Sequence, residues 1–420
     1  MVDRSARAAR LDDFLDARDL EAVWFARPNG FAWLLGGSNA VDRTAGIGAA
    51  AAGYDGEFRV IASATAADRI REEEVPDDVP VESVPWHESS LPAAIADRSP
   101  LPAALDVAAT IDDRAGSTAA DAAAAAGTPH GDVGESAFEP VDAARLRQPL
   151  TDDDVERYRE LGREAAAAVE TVCRQLEPTD PEYEVAAAIE IALAARDVST
   201  PVLLVGGGDR ASRFRSPTPG DAELGDYAVV SVTAERAGLH ASLTRTVVFD
   251  PPAWLRDRHR AAARVEATAV AATEAAVAAD PAASTDPAAS TDPAASTVPV
   301  ADRGLETAGD LFEVVRDAYA AVDHPDEWRA HHQGGAAGFD VREWLARPGG
   351  TEPVTAPMGY AWNPTVAGAR SEDTHLVAAD RTELLTKTGR WPTLEVETAD
   401  VDGVPSRRYD RHAPVVLSDE

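Results

Sequence analysis

Few residues of this chain have types and spacings suited to chemistry. Arg210, Arg213 and Arg215 follow the run Gly206-Gly207-Gly208. A guanidinium fork suits a carboxylate or phosphate, but arginine stays protonated near pH 7 and cannot serve as a general base. The trio could attract an anionic group such as a peptide carboxylate, or equally be salt-bridged structure. Glu372 and Asp373 stand just after Arg370. An unpaired buried charge is costly, so Glu372 is expected to pair with an arginine, Arg370 or Arg245. The single cysteine, Cys173, rules out an internal disulfide and a cysteine-built zinc site. It falls in a helical pattern and reads as a small core residue.

The 420 residues that must position these groups suggest two domains, and 45% apolar content supplies a real core. There are 39 basic and 73 acidic residues, a net charge of −34. Such a surface repels phosphate backbones, so neither nucleic acid nor an anionic membrane is an expected partner. Lys387 is the sole lysine. Acid excess, loss of lysine and heavy alanine usage together point to adaptation to concentrated salt, where the Debye length falls to about 3 Å. The alternative is an acidic protein from a GC-rich genome, which explains Ala and Arg but not the acids. The N-terminus lacks an apolar signal region and no apolar run reaches membrane-spanning length; Ala119–Ala126 is too short and too weakly hydrophobic. The expected compartment is the cytoplasm.

The first half alternates helix and strand patterns. Arg10–Asp19 is amphipathic. Strands are expected at Glu21–Ala26, Phe58–Ala62, Val81–Val84 and Ala104–Ile111, with a turn at Arg27–Gly30 and a helix near Ala66–Glu74. Residues Gly116–Ser136 read as a surface connection. A boundary falls near Arg147–Leu150, giving domains 1–146 and 147–420. Thr151 then caps a helix running to about Leu176, its apolar face carrying Val155, Tyr158, Leu161, Ala165, Val169 and Val172. A helix over Glu184–Arg196, a strand over Val202–Val205, a glycine turn at Gly206–Gly208 and strands Tyr227–Thr233 and Leu243–Phe249 follow. DPAAST, repeated three times over 280–297, reads as a loop between two helices.

Five segments of the second half carry a resemblance. They are LGD at 224–226, GLHASLTRT at 238–246, HHQGGAAGFDVRE at 331–343, MGYAWNP at 358–364 and GARSEDT at 368–374. In this order they resemble the pita-bread metallopeptidases: Xaa-Pro aminopeptidases, prolidases, methionine aminopeptidases and the metal-free creatinase. More loosely, Pro28-Asn29 and FAWLLGG at 31–37 resemble the creatinase-type N-terminal module. The resemblance implies an α/β creatinase-like N-terminal domain and an α+β pita-bread C-terminal domain.

Active members of that family hold two divalent metal ions, Mn, Co or Zn, on Asp, Asp, His, Glu and Glu. By resemblance those positions fall on Ser231, Ser242, Gly335, Asn363 and Glu372. A serine hydroxyl is a poor ligand for a divalent ion and glycine offers none, so one carboxylate remains where two close dications need several. Compensating ligands, such as His240, His331, Asp340 or Glu343, form the alternative. The creatinase route needs a histidine where this chain has Arg213 or Phe214, and a second where it has Arg342. His331 matches the family's outer histidine on the substrate side, or is a cleft-edge residue without a role. Arg245 and Arg370 match framework arginines.

The reading is a non-catalytic relative of Xaa-Pro aminopeptidase and prolidase, with no metal cofactor and a cleft for a peptide or small anion. Arg213 and Arg342 near His331 would hold the anion, or these arginines pair with Glu372, Asp373 or Asp340 and close the cleft. The competing readings are an active peptidase or amidase with a rebuilt site, and an interaction module such as the degenerate pita-bread domains of a histone chaperone. Relatives bearing the N-terminal module form dimers, which implies a homodimer. From the charge alone, the melting temperature is expected to rise steeply between low salt and about 2 M KCl as screening relieves self-repulsion. A flat or falling melting temperature across that range refutes the reading.

Overall fold

The computed structural model describes residues 4–107, 138–279 and 304–417. They form two compact units, Met1–Asp154 and Val155–Glu420. The first carries helices α1 (Arg4–Arg18), α2 (Pro28–Leu35), α3 (Ala67–Arg69), α4 (Leu91–Arg98) and α5 (Ala143–Leu146). Its strands are β1 (Ala22–Phe25), β2 (Ala50–Tyr54), β3 (Phe58–Ser63), β4 (Val81–Val84), β5 (Ala103–Leu105) and β6 (Phe138–Pro140). They make one sheet in the order β4-β3-β2-β1-β5-β6, parallel except for the central β1–β2 and β2–β3 pairs. Strand β1 is buried along its whole length, as the uninterrupted apolar run requires. The segment Arg27–Gly30 is not a free turn. Pro28 occupies the first helical position, where its fixed φ and missing N–H cost nothing, so α2 starts there. The helix expected near Ala66–Glu74 is α3 followed by a π-helical turn at Ile70–Glu74.

Helix α6 (Asp152–Cys173) begins in the last three residues of the first unit and runs into the second. Thr151 Oγ1 accepts from the Asp154 amide at 3.3 Å, the expected cap. The helix ends at Cys173, before Leu176; Val155, Tyr158, Leu161, Ala165, Val169 and Cys173 are buried, whereas Val172 is only half-buried. There follow α7 (Glu182–Ala194), β7 (Ser199–Gly207), α8 (Gly208–Arg213), β8 (Tyr227–Arg236) and β9 (Leu239–Val248). The glycines at 206–208 therefore form no turn: β7 runs to Gly207 and α8 begins at Gly208. A side chain at Gly207 would meet the Glu223 carbonyl at 2.6 Å, so close backbone approach explains the glycine there.

Helices α9 (Leu255–Ala279) and α10 (Ala308–Ala321) come next, the second opened by a Thr307–Asp310 capping box. They are the two helices expected on either side of the DPAAST repeat. That repeat, Ala119–Ala126, Gly116–Ser136 and the end of Ala104–Ile111 lie outside the described residues. The remaining strands are β10 (Gly334–Ala337), β11 (Met358–Trp362), β12 (Thr365–Val366), β13 (Ala369–Arg370), β14 (Asp373–Val377), β15 (Thr382–Leu384), β16 (Thr393–Glu397), β17 (Arg408–His412) and β18 (Val415–Val416). One four-stranded sheet runs β18-β9-β8-β7 and another β10-β11-β14-β15; β12–β13 and β16–β17 are hairpins. Helix α9 is buried over most of its length by Ala and Val, whose small side chains allow close approach to the sheets. An α/β first unit and an α+β second unit are thus what the sequence led us to expect. No helix among the described residues is long and apolar enough to cross a membrane.

Candidate functional site

Strands β8 and β9 pair antiparallel with Ser231 opposite Thr244 and Thr233 opposite Ser242. Residues two apart on a strand share a face, so four hydroxyls stand together. Ser231 and Thr244 lie 2.7 Å apart and Thr233 and Ser242 2.9 Å apart. Glu372, just before β14, is 6% exposed and meets this ladder. Its Oε2 accepts from Thr244 Oγ1 at 2.8 Å. Thr244 has one proton and spends it on the carboxylate, so the Ser231 hydroxyl donates to Thr244.

Two guanidiniums complete the cluster. Arg342 Nη2 donates to Glu372 Oε1 at 3.2 Å and its Nη1 to Ser242 Oγ at 3.2 Å. Arg370 Nη1 donates to Ser231 Oγ at 3.1 Å and stands 3.9 Å from Glu372 Oε2. Both arginines are largely buried. Of the two partners expected for Glu372, Arg370 is therefore one, but Arg245 is not. Arg245 lies in an adjoining cluster, fully buried between Glu170 and Asp373, at 3.0 Å from each. There Asp373 also binds His412 Nδ1 at 2.6 Å and Thr386 Oγ1 at 2.7 Å. Burial would raise the Asp373 carboxyl, but His412 and Arg245 outweigh it and hold it well below the ordinary range.

The other candidates are placed as follows. Asn363 is buried and its Oδ1 has no hydrogen-bond partner among the described residues. His331 Nε2 lies 2.7 Å from Thr365 Oγ1; burial first, then the Arg370 charge, pushes its pKa down to about 3, so it is neutral at pH 7. Arg213 stands apart, exposed and stacked over Phe214 at 5.3 Å. Arg210 pairs with Glu182 and Arg215 with Glu327, the salt-bridged alternative for that trio. Thr233 and Thr244 were missed by motif reading; their signal is the i, i+2 alternation with Ser231 and Ser242.

Gly335, on β10 opposite Ala361, decides whether a metal pair fits. A Cβ there would lie 2.2 Å from the Trp344 carbonyl oxygen. The position that resembles a ligating histidine thus has no room for a side chain. Of the five ligand positions only Glu372 is a carboxylate, and two cationic guanidiniums already hold it and the serines. Among the described residues no group of three or more His, Cys, Asp or Glu could hold a metal ion, and His240, His331, Asp340 and Glu343 form none. These residues do not fit a dinuclear centre.

Substituting Gly335→Ala forces Trp344 or the strand to move and is expected to destabilise the protein by at least about 1–3 kcal/mol. Chemical denaturation measures it; a change below about 0.5 kcal/mol would show that the position is open.

The sequence matches the model of metallopeptidase family M24 over residues 156–379. No curated protein matches it. Among solved structures, dipeptidase PepE from Mycobacterium ulcerans is similar at 17% identity and a TM-score of 0.66, with 99% of this chain and 98% of that chain covered. The prolidase from Pyrococcus horikoshii shows 16% identity and a TM-score of 0.62 over 92% of this chain and 99% of its own. The N-terminal domain of FACT complex subunit SPT16 from chickpea, Cicer arietinum, shows 12% identity and a TM-score of 0.63 over 93% and 98%. These likenesses carry the fold, a creatinase-like N-terminal unit followed by a pita-bread unit. The matched segment covers more than half of the chain and contains the Ser231, Ser242, Gly335, Asn363 and Glu372 positions, so the chain belongs to metallopeptidase family M24.

Proposed function

We propose that this member of the family is a non-catalytic protein that holds a peptide or small anion rather than cleaving a peptide bond. The observation that carries the reading is the Arg342–Glu372–Arg370 cluster bonded to Ser231 and Ser242. A metal-dependent hydrolase needs carboxylates free to bridge cations and a water to activate. Here the one carboxylate is taken by guanidiniums, which have no acidic proton to give near pH 7 and cannot accept one. The neutral His331 spends its Nε2 on a hydrogen bond with Thr365 Oγ1. Arg342 pairs with Glu372, the contact that closes the cleft, so an anion is left to Arg370, whose hydrogen bonds among the described residues go to neutral oxygens of Ser231 and Arg215.

Incubating the purified protein with excess Mn, Co or Zn, removing free metal and measuring bound metal tests this, together with a scan of Xaa-Pro dipeptides. The expected result is no stoichiometric metal and no metal-dependent cleavage. Two tightly bound equivalents with hydrolysis would establish the competing reading, a working peptidase with a rebuilt site.

A further inference from the structure

We infer that Glu266 is held as the neutral acid in the folded chain and ties helix α9 to the segment after β13 in a proton-dependent way, so that the second unit loosens as the solution turns alkaline. The inference concerns the fold and stands apart from any reading of the cleft. Glu266 lies near the middle of α9 and is fully buried. Its Oε2 meets the hydroxyl of Ser371, one residue before Glu372. Its Oε1 is buried and has no hydrogen-bond partner among the described residues, and among them Glu266 forms no ion pair. Three other buried carboxylates of this unit show what an ionised one requires. Asp373 is bonded to Arg245, His412 and Thr386, Glu170 to Arg245 and Thr388, and Glu372 to Arg342 and Thr244. Each touches a guanidinium, whereas Glu266 touches one neutral hydroxyl. A charge buried with so little compensation costs more than keeping the proton.

The charges that reach Glu266 come from Arg411 on β17, which attracts, and from Asp373 and Glu372, which repel. Arg411 is itself buried and bonds His375 Nε2 at 2.8 Å, so its charge acts on Glu266 only at a distance. His375 on β14 and His259 on α9 are buried and pushed far below their ordinary range by that burial, so neither brings a charge. His412 turns its Nδ1 to Asp373, and Arg370 on β13 turns its fork to Ser231 and the Arg215 carbonyl. Helix α10 has an apolar buried face whose one titratable group, Tyr319, bonds Gln333 and Thr365. Tyr360 of β11 bonds Thr355, β12 is Thr365 and Val366, and the buried residue of β16 is Val396. Burial outweighs Arg411 and, with the two repelling carboxylates, pushes the Glu266 carboxyl up to about 7.

Linkage gives the sign. Below the ordinary value of 4.5 the folded and unfolded chains both hold this proton. Between there and about pH 7 only the folded chain holds it, so rising pH favours unfolding, by up to about tenfold in the unfolding constant per pH unit. At higher pH both have lost it and the effect is complete. Buried histidines such as His259 and His331, with lowered values, titrate over part of this range with the opposite sign. The Glu266 contribution is therefore read as a difference from a variant that cannot ionise at this position.

The full-length parent and Glu266→Gln are unfolded with urea at fixed salt between pH 5 and pH 9. Glutamine matches the neutral acid in shape and can still bond Ser371. At pH 5 the two unfolding constants should agree within about threefold. By pH 8 the ratio of the parent's constant to the variant's should have risen at least about tenfold. An infrared difference spectrum between parent and variant should show the carbonyl stretch of a protonated carboxyl at pH 6, gone by pH 9. In Ser371→Ala, where the ionised form loses its one hydrogen bond, that band should persist to higher pH. A ratio that stays flat across the range, or no such band at pH 6, overturns the inference. An unchanged band midpoint in Ser371→Ala overturns the tie to that residue. A Glu266→Gln chain that does not fold at pH 5 also overturns it, because the ionised carboxylate would then be what the fold requires.

Discussion

A buried carboxylate must find positive charge, and how Glu372 finds it organises this protein's second unit. In the metal-binding pattern of the family such a carboxylate faces two dications. Here it faces two guanidiniums, and the consequences run outward from that exchange. Cations fixed on side chains need no bridging acids, so Ser231 and Ser242 suffice as acceptors for Arg370 and Arg342. The Trp344 carbonyl closes against Gly335 on β10 and leaves no room for a side chain. Arg370 bonds Ser231 and stands 3.9 Å from Glu372 at the edge of a recess.

Strand alternation keeps this cluster separate from a second buried ion network. Thr244 faces Glu372, while its neighbour Arg245 faces Asp373 and Glu170. Glu372 and Asp373 divide in the same way, one toward Arg342 and the other toward His412. The backbone also joins the two sheets: the Thr244 amide donates to the Glu372 carbonyl at 2.9 Å, and Thr374 bonds both the amide and the carbonyl of Ser242. Removing one charge from either network would leave others buried without a partner, which is why such clusters resist piecemeal change.

Much of this was legible in the sequence, because the fold's signals are local. Apolar runs marked β1, β3 and β8, Thr151 marked the start of α6, and the ordered motifs fall inside the segment that matches the family. The roles of Pro28 and Gly208 were not legible as turns, since the same residues open helices when the tertiary context supplies one. The pairing at the site was only half legible. That Glu372 needs an arginine follows from charge, and Arg342 is among the arginines the sequence offers it; that Arg342 rather than Arg245 or Arg213 is the hydrogen-bonded partner follows from a contact 30 positions away in sequence. Nor does spacing tell that Arg213 stacks on Phe214 while Arg370 lines the recess. Those placements depend on the packing of α8 and the β12–β13 hairpin against β7 and β8.

The central claim is that Arg342 and Glu372 are energetically one unit. A double-mutant cycle with Glu372→Gln, Arg342→Met and the pair, read by denaturant unfolding, measures it directly. The account predicts single changes costing about 3 kcal/mol or more, and a double change costing well under their sum, because removing both partners leaves neither charge stranded. Additive costs would contradict it, and would mean that Glu372 is free to serve something other than the arginines beside it.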